Sequence, residues 1–425
     1  MKGKSALMAG VAALALVISA QAGLAGKSRS DGMSNSSLAP MATGPSNEEL
    51  SARIDALESE LQASEVRQAA DHDAVSAWKP VSGWWDNTSI SGRMYWDISN
   101  VNNKNAGVAS SGNGTSFDIK RFYLGVDHTF DKVFSANLTT DFNYDSGPAG
   151  ATQVYIKKAY LQAKLDDAFI VRVGSADLPW IPFAEDVYGY RYVENTLSDR
   201  AKFGTSADWG VHILGKFADG LIGYQFSVIN GNGYKKPGFV GLVNRTNSVD
   251  VEGRVNLNYE GFQLAVGGYS GKLGAAHGVT TFHTAQRFNA LAAYTADGFR
   301  VGVEYFAASN WGQVTSATSS NGYGYSPFAS YQFDPQWSVF GRYDYVRPLS
   351  TDAFHKAFHN DYYNIGVTYT PAKIVDFALV YKHDAGTCGI FGDQNGMIGG
   401  AFGTALTPCA NGAYNEVGLF GQVRW

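Results

Sequence analysis

The sequence predicts an all-β fold: a sixteen-stranded antiparallel transmembrane β-barrel with a short N-terminal periplasmic coiled-coil helix. From about residue 86, apolar and polar residues alternate with a period of two, so each strand has one apolar and one polar face. Seven short polar turns alternate with eight longer polar loops along residues 86–425, which divides this segment into sixteen strands. Short turns at one end and long loops at the other are typical of outer-membrane barrels, which close because lipid satisfies no open sheet edge.

The composition of the 425-residue chain fits this fold and excludes several other classes. Aromatic residues reach 14%, whereas charged residues are only 17%. A net charge of −5 and a pI of about 5.9 offer no basic surface, so we expect no nucleic-acid partner. Beyond the N-terminal segment no run of 18 apolar residues occurs, which excludes a membrane-spanning helix. A soluble β-sandwich or propeller is the alternative, but it gives no reason for short turns at one end only.

Residues 1–22 have the three parts of a secretory signal peptide. Lys2 and Lys4 form a positively charged n-region, and an apolar stretch follows over residues 6–20. The small residues Ala20 and Ala22 then precede a cleavage site. Cleavage after Ala22 removes two lysines and no acids, which takes the net charge from −5 to −7. The alternative, a membrane anchor, needs a longer apolar stretch.

A flexible linker and a helix connect the signal peptide to the barrel. Residues 23–46 are rich in Gly, Ser and Ala without periodicity, which predicts the linker. Residues 47–71 are predicted to form the periplasmic coiled-coil helix, and two heptads are too few to be stable alone. We expect the helix to join copies of a chain already held together elsewhere, and the alternative is one helix packed on the main domain. The apolar seam consists of Leu50, Ile54, Leu57 and Leu61.

Three segments carry a resemblance to a known family. They are the first-strand sequence ISGRMYWD at 90–97, the second-strand sequence KRFYLGV at 120–126, and VGSADLP at 173–179 before the third long loop. These segments resemble the phosphate-selective porin O/P family, with the related dicarboxylate-type outer-membrane porins, in which a heptad helix also precedes the barrel. The resemblance covers about residues 86–425.

This resemblance implies a homotrimeric, sixteen-stranded porin in the bacterial outer membrane, surrounded by its lipid, with the third loop folded into the lumen. The last strand ends in an aromatic residue, Trp425. It looks like the signal that the outer-membrane barrel assembly machinery reads. The resemblance does not identify the solute.

Basic side chains are assigned to the lumen because they alternate with lipid-facing residues and because charge toward lipid is costly. Acidic residues, among them Asp141, Glu252 and Asp344, point inward with them. A wall of mixed sign is typical of a general diffusion pore, whereas anion-binding members of the family are expected to show a denser basic track. Roughly half of the basic residues could instead form ordinary ion pairs between neighbouring strands. The basic wall residues predicted to line the pore are Arg121, Lys158, Arg172, Arg254, Arg300 and Arg342.

Residues 176–207 form a loop that is too long for a simple connection. We expect it to fold into the lumen as a constriction, where its charges set a transverse field and its aromatic rings narrow the path. The alternative is an external lid or a contact between copies in a trimer. The residues of this loop predicted to line the constriction are Glu185, Asp186, Tyr190, Arg191, Arg200 and Lys202.

Cys388 and Cys409 lie 21 residues apart in the last long loop. Export to an oxidising compartment favours a disulfide between them. His355 and His359 are four residues apart, but no third ligand accompanies them, so we expect neither a metal site nor a cofactor.

These features predict passive diffusion of small hydrophilic solutes and ions, small anions included, through a water-filled barrel. Gly-x-Ser-x-Gly and His-Glu-x-x-His sequences do not occur, and we expect no enzyme activity. Two alternatives stay open. One is a solute-specific channel for phosphate, dicarboxylates or sugars, and the other is an adhesion or structural barrel without conductance.

Overall fold

The computed structural model describes residues 47–77, 83–144, 152–235, 247–275, 280–349, 357–400 and 409–425. The chain divides into two units, one up to Val81 and one from Ser82 to Trp425. The predicted signal peptide and linker, residues 1–46, lie outside the described residues.

The described part of the first unit is a helix, α1 (Asn47–Ala77), which extends six residues beyond the predicted end at 71. In the single chain its seam residues Ile54, Leu57 and Leu61 are all more than half exposed. The described part of the seam is therefore left uncovered. Within the described ranges, no helix has both the length and the apolar composition that crossing a membrane requires.

The second unit is a closed antiparallel barrel. Each strand pairs with the next, and β1 pairs with β16 from Arg93 opposite Arg424 to Asn105 opposite Gly412. Among the described residues sixteen long strands form this barrel, which confirms the predicted fold. The strands are β1 Thr88–Asn105, β2 Gly114–Thr129, β3 Phe134–Tyr144, β4 Thr152–Lys164, β5 Ile170–Asp177, β6 Ala207–Phe217, β7 Ile222–Ile229, β8 Asp250–Tyr259, β9 Phe262–Gly271, β10 Ala285–Ala296, β11 Phe299–Ser309, β12 Asn321–Asp334, β13 Trp337–Leu349, β14 His359–Ala372, β15 Val375–Thr387 and β16 Gly412–Arg424.

The connections between strands are short at one end of the barrel and long at the other. Two of the short turns, Glu260-Gly261 and Asp297-Gly298, have φ between 45° and 85° at both residues. Two consecutive positive φ angles make a type I′ turn, whose twist matches that of the strands it joins. Glycine in the second position avoids the strain of this left-handed conformation. The longer connections lie at the end that faces outward in outer-membrane barrels.

The outward face of the barrel is apolar between two rings of aromatic side chains. Leu379, for example, points outward in mid-strand and is 63% exposed. Phe299 stacks on Tyr331 at 4.2 Å near the short turns, and Tyr325 stacks on Tyr345 at 5.3 Å near the long loops. Apolar residues between aromatic rings are the surface that a bilayer requires of a barrel.

Among the described residues the barrel ladders shift register at four places, and two of these shifts are bulges beside basic residues of the wall. The β1–β2 ladder shifts register at Lys120, and the β3–β4 ladder shifts register at Lys157. A bulge inserts one unpaired residue, so two consecutive side chains can point to the same face. Lys120 with Arg121, and Lys157 with Lys158, thus become pairs of lumenal cations.

Candidate pore constriction

The connection between β5 and β6, residues 178–206, belongs to the segment 176–207 that the sequence predicts to enter the lumen, and it packs on inward side chains of the wall. It carries two short helices, α2 (Ile181–Tyr188) and α3 (Leu197–Arg200). The apolar side of α2 packs on Leu291 of β10 and Phe328 of β12, among other inward side chains. The loop therefore lies on one half of the wall and leaves the opposite half open.

Two local features of the sequence shape α2. Pro182 lies in the first turn, where its fixed φ suits a helix and its missing N–H is no loss. Gly189 ends the helix in the left-handed region, at φ 81°. A side chain at Gly189 would collide with the Arg300 guanidinium, which donates from Nη1 to the Tyr188 carbonyl oxygen at 3.0 Å.

Carboxylates of the wall hold the start of the loop. The Trp180 backbone N–H donates to Glu252 Oε1 at 3.0 Å, and its indole Nε1–H donates to Glu304 Oε1 at 2.9 Å. The Ser198 hydroxyl on α3 donates to the same Glu304 oxygen at 2.6 Å. These wall acids are buried under the loop and do not face the pore water.

Arg200 holds the end of α3 in a fully buried polar cluster. Its Nε donates to Asp344 Oδ2 at 2.8 Å, and its Nη2 donates to Asn360 Oδ1 at 3.1 Å. Its Nη1 donates to Asp384 Oδ2 at 3.0 Å and to Asp393 Oδ2 at 2.5 Å. Buried charges are tolerated only when paired in this way, so the cluster fixes the position of the loop on β13–β15.

A second buried cluster surrounds Lys382. Its ammonium lies 3.4 Å from Glu194 Oε2 of the loop and 3.1 Å from Glu416 Oε2 of β16. Burial alone would raise the pKa of Glu194, but the Lys382 ammonium outweighs burial and lowers it. Lys382 and Lys120 both lie over the Phe420 ring, at 4.2 Å and 4.6 Å.

The open half of the lumen is bordered by a basic wall, which we define as Lys120, Arg121, Lys157, Lys158 and Arg172. These side chains come from β2, β4 and β5, and each is partly exposed. The loop covers acids of the opposite half, whereas these five cations stay in contact with the lumen.

Three cations of the basic wall have carboxylate partners. Asp141 also accepts a hydrogen bond from the Tyr155 hydroxyl at 2.9 Å, so its charge is shared. The pairs are Lys120 with Asp97 at 3.3 Å, Arg121 with Asp141 at 3.5 Å, and Lys158 with Asp177 at 3.0 Å.

The other two cations contact aromatic and amide groups. Lys157 Nζ donates to the Tyr123 hydroxyl at 3.2 Å and lies 4.4 Å from the centre of that ring. Arg172 Nε donates to Gln162 Oε1 at 2.8 Å, and its guanidinium lies 4.9 Å from the Tyr160 ring. Among the described residues, neither cation has a carboxylate within 4 Å. Their charges therefore stay available to solutes.

The loop presents charges of both signs toward this wall. Arg191 Nε donates to Glu185 Oε1 at 2.5 Å, and its Nη2 lies 3.4 Å from Asp199 Oδ2. Burial alone would lower the pKa of Arg191, but these two carboxylates raise it. Burial, with the neighbouring Glu185 carboxylate, raises the pKa of Asp186. The net charge on the loop side of the constriction is thus less negative than the number of its acidic residues suggests.

The structure separates the predicted pore residues into two groups. One group contacts the open lumen or solvent: Arg121, Lys158, Arg172, Glu185, Asp186, Arg191 and Lys202. The second group lies between loop and wall: Tyr190, Arg200, Arg254, Arg300 and Arg342.

Within the second group, Arg200 and Arg342 differ from the expectation that these residues line the path, whereas Tyr190, Arg254 and Arg300 stay partly exposed. Arg200 and Arg342 are almost completely buried, because the cluster around Asp344 takes up their charges. Arg254 donates to the Pro179 carbonyl oxygen at 2.6 Å, and Tyr190 stacks on Phe340 at 4.1 Å. Residues of this kind attach the loop to the wall.

Lys120 and Lys157 are functional candidates that strict alternation misses. An ideal strand turns neighbouring side chains to opposite faces, so alternation sends both lysines to lipid. Each sits beside another basic residue, Arg121 or Lys158. A doublet of charges in a lipid-facing strand is the signal that could have revealed a bulge, because one charge would otherwise enter the bilayer.

The structure joins Cys388 and Cys409 in a disulfide, the pair that the sequence predicts. Within the described part of the chain, no group of three or more His, Cys, Asp and Glu side chains is placed to hold a metal ion. His355 lies outside the described residues.

Comparison with known proteins agrees with the fold. Residues 89–182 match the family model "Phosphate-selective porin O and P". No curated protein sequence matches the chain. Three similar solved structures each align with 80% of this chain. An anion-selective porin from Comamonas acidovorans is covered over 99% of its chain, at 12% identity and a TM-score of 0.58. The outer-membrane channel DcaP of Acinetobacter baumannii is covered over 97% at 11% identity and a TM-score of 0.52, and the trimer form of OmpT of Vibrio cholerae over 99% at 14% identity and a TM-score of 0.52.

At these identities the structural likeness shows the fold. Together with the family match it confirms the resemblance to the porin O/P family and the prediction of an outer-membrane channel for passive diffusion.

Proposed function

Since the chain is an outer-membrane porin by its fold and family match, we propose that it favours small anions over cations while admitting neutral polar solutes. The solute path runs between the basic wall and loop 178–206. The observation that carries this proposal is that two bulges direct Lys120 and Lys157 into the lumen beside Arg121 and Lys158. Ions close to fixed charges at a narrow point respond to the local field, because charges beyond about 8 Å are screened at physiological salt.

Loop 178–206 contributes to the same preference by covering acids. Glu252 and Glu304 receive hydrogen bonds from Trp180, and Asp344 is paired with Arg200. The negative charge of these carboxylates is therefore paired or covered, and it does not act directly on ions in the solute path. We propose mild rather than strong anion selectivity, because Asp141 and Asp177 still partner two of the wall cations.

The test is the reversal potential of single channels in a salt gradient. Lys157→Gln combined with Arg172→Gln removes the two cations that lack carboxylate partners, so no acid is left unpaired. We expect the anion-to-cation permeability ratio to fall about twofold without loss of conductance. The matched control is Lys216→Gln with Lys373→Gln, two exposed cations near the short turns. An unchanged ratio in the first variant would sink the assignment of the basic wall to the solute path.

A solute-specific channel for phosphate or dicarboxylates is the second candidate. The contact of Lys157 and Arg172 with the rings of Tyr123 and Tyr160 favours it, because cation and ring together offer a surface for a compact organic anion. Saturating phosphate flux with block of chloride current at micromolar phosphate supports this candidate. Linear flux supports diffusion.

We further propose a homotrimer in outer-membrane lipid. One similar structure is described as a trimer form, and the exposed seam of α1 offers a contact for other copies. In this proposal residues 1–22 direct export and are removed, residues 23–46 act as a linker, and the helix joins the copies in the periplasm. The strand ending in Trp425 is then the part that the barrel assembly machinery recognises.

A further inference from the structure

The connection between β15 and β16 contains a small hairpin, which we call the tip hairpin (390–399). Its strands, Ile390–Asp393 and Gly396–Gly399, pair from Ile390 opposite Gly399 to Asp393 opposite Gly396. It belongs to a loop expected to be external, yet Phe391 is 3% exposed and Ile398 is fully buried. The hairpin therefore packs into the barrel mouth.

Apolar packing attaches the tip hairpin to the constriction loop. Phe391 belongs to a buried cluster with Leu197 and Phe203 of loop 178–206. Phe306 and Val346 of the wall complete this cluster on its outer side. Two separate connections of the barrel thus share one small core inside the lumen.

Polar contacts hold both ends of the hairpin. Asp393 accepts a hydrogen bond from Arg200 Nη1 at 2.5 Å, which links it to α3. At the barrel rim, Asn105 of β1 donates to the Met397 carbonyl oxygen at 2.8 Å and accepts from the Gly399 N–H at 2.9 Å. The Cys388–Cys409 disulfide closes the base of the loop. These contacts leave the hairpin little freedom to swing out.

The turn of the hairpin reaches the path toward the basic wall. Gln394 and Asn395 line a cavity of about 260 Å³ together with Lys120 and Arg121 of the wall and Arg191 of the loop. A solute entering from the long-loop end meets this cavity where wall, constriction loop and hairpin all contribute side chains.

We propose that the tip hairpin is a second constriction element that limits the size of anions reaching the basic wall, with Gln394 as a residue that determines specificity at the entrance. The proposal rests on the proposed anion preference for the solute class and on geometry alone for the size limit. Compact inorganic anions and small carboxylates or phosphates fit the cavity, and the proposal expects longer organic anions to pass less readily.

The charges of the buried cluster stay balanced when the hairpin is deleted. The buried cluster contains two cations, Arg200 and Arg342, and three acids, Asp344, Asp384 and Asp393. Removing Asp393 with the hairpin leaves two charges of each sign. A deletion therefore strands no unpaired charge in the cluster.

The first experiment replaces residues 390–399 with Gly-Ser-Gly and measures single-channel conductance and liposome swelling with sugars of increasing size. We expect conductance to rise about twofold and larger sugars to enter. The matched control deletes residues 317–319, an exposed part of another long loop. Equal conductance and equal sugar cut-off in wild type and the hairpin deletion overturn the proposal.

Point variants test the entrance without deleting any backbone. Gln394→Glu should lower, and Gln394→Lys should raise, the anion-to-cation permeability ratio about twofold. The control is Gln313→Glu, which makes the same change at an exposed position of another long loop. Identical ratios for both Gln394 variants and wild type overturn the role of Gln394. A wild-type channel without anion preference contradicts the proposed function instead, and the sugar cut-off then still tests the hairpin.

Discussion

At the scale of single residues, Arg200 shows how a charged side chain in a pore can act as an anchor. Its guanidinium contacts Asp344, Asp384 and Asp393 and also lies 4.4 Å from the Tyr362 ring. A buried ion pair adds little net stability when complete, but removing one partner leaves an uncompensated charge. Arg200 therefore matters for the position of loop 178–206 rather than for the field in the pore.

Arg200→Met tests this role. We expect the folded barrel to lose about 3–5 kcal/mol, the cost of a buried pair left without one partner. The measurement is the heat-induced mobility shift of the barrel on gels, compared with Lys202→Met, which removes an exposed charge from the same loop. Equal melting of the two variants would contradict the anchoring role.

Asp393 should make the stability that this buried cluster gives to the fold depend on pH. Burial, together with the Asp384 carboxylate, raises its pKa well above the ordinary range despite Arg200. The other charged groups of the cluster around Asp393 are Arg200, Arg342, Asp344 and Asp384. A raised carboxyl pKa stabilises the fold fully below the unfolded pKa of about 4, and this contribution is lost as pH rises through the folded pKa.

The expected outcome is that wild type loses thermal stability between pH 5 and about pH 9 and that Asp393→Asn loses less. Asparagine keeps the shape and cannot ionise, so it retains the low-pH state of the cluster. Thermal melts of both proteins at the two pH values provide the comparison. An equal pH dependence in the two proteins would show that Asp393 is already ionised in the folded protein over this range.

At the scale of elements, the closing seam between β1 and β16 depends on a glycine. Gly92 N–H donates to the Trp425 carbonyl oxygen at 3.0 Å, and Trp425 N–H donates back to Gly92 at 3.1 Å. A Cβ on Gly92 would lie 2.0 Å from the Trp425 ring. The last aromatic residue therefore lies over a position that has no side chain.

Gly92→Val should displace the Trp425 ring and destabilise the barrel by about 1–3 kcal/mol, the usual cost of overpacking. The readouts are the yield of folded barrel in the outer membrane and the melting temperature. Gly112→Ala is the control, because a Cβ there meets only the Ser110 Oγ, at an ordinary contact distance of 3.7 Å. The interpretation fails if both variants fold and melt as wild type.

At the scale of the whole molecule, α1 and the barrel make separate contributions to assembly. The seam residues of α1 are exposed in the single chain, and two heptads are too short to hold helices together alone. We therefore expect the barrels to provide the main trimer contacts and the helices to add to them by raising the local concentration of neighbouring copies.

Leu57→Asp should loosen the helical stem and leave trimeric barrels intact. The measurements are native mass in mild detergent and cross-linking between helices, with Gln62→Asp as a control outside the seam. A monomeric wild type in native mass would contradict the trimer. Loss of barrel trimers in Leu57→Asp would show instead that the helices hold the copies together.

The sequence alone determined the barrel, its sixteen strands and the place of its turns, because each depends on short-range patterns. Alternation such as that of residues 134–145 fixes which face meets lipid, and pairs such as Glu260-Gly261 fix where a strand reverses. It also predicted that the segment 176–207 enters the lumen, since its length and aromatic content suit no simple connection.

Only the tertiary structure decided which charges face the solute. Alternation assigned both Arg342 and Arg121 to the lumen. The constriction loop covers Arg342, whereas Arg121 stays in contact with the lumen, because the burial of a side chain depends on where distant segments pack. Bulges at Lys120 and Lys157 reverse the face predicted for single residues, since one inserted residue changes the parity of a strand locally. The burial of Asp393 against Arg200 joins positions 193 residues apart, a distance at which sequence periodicity carries no information.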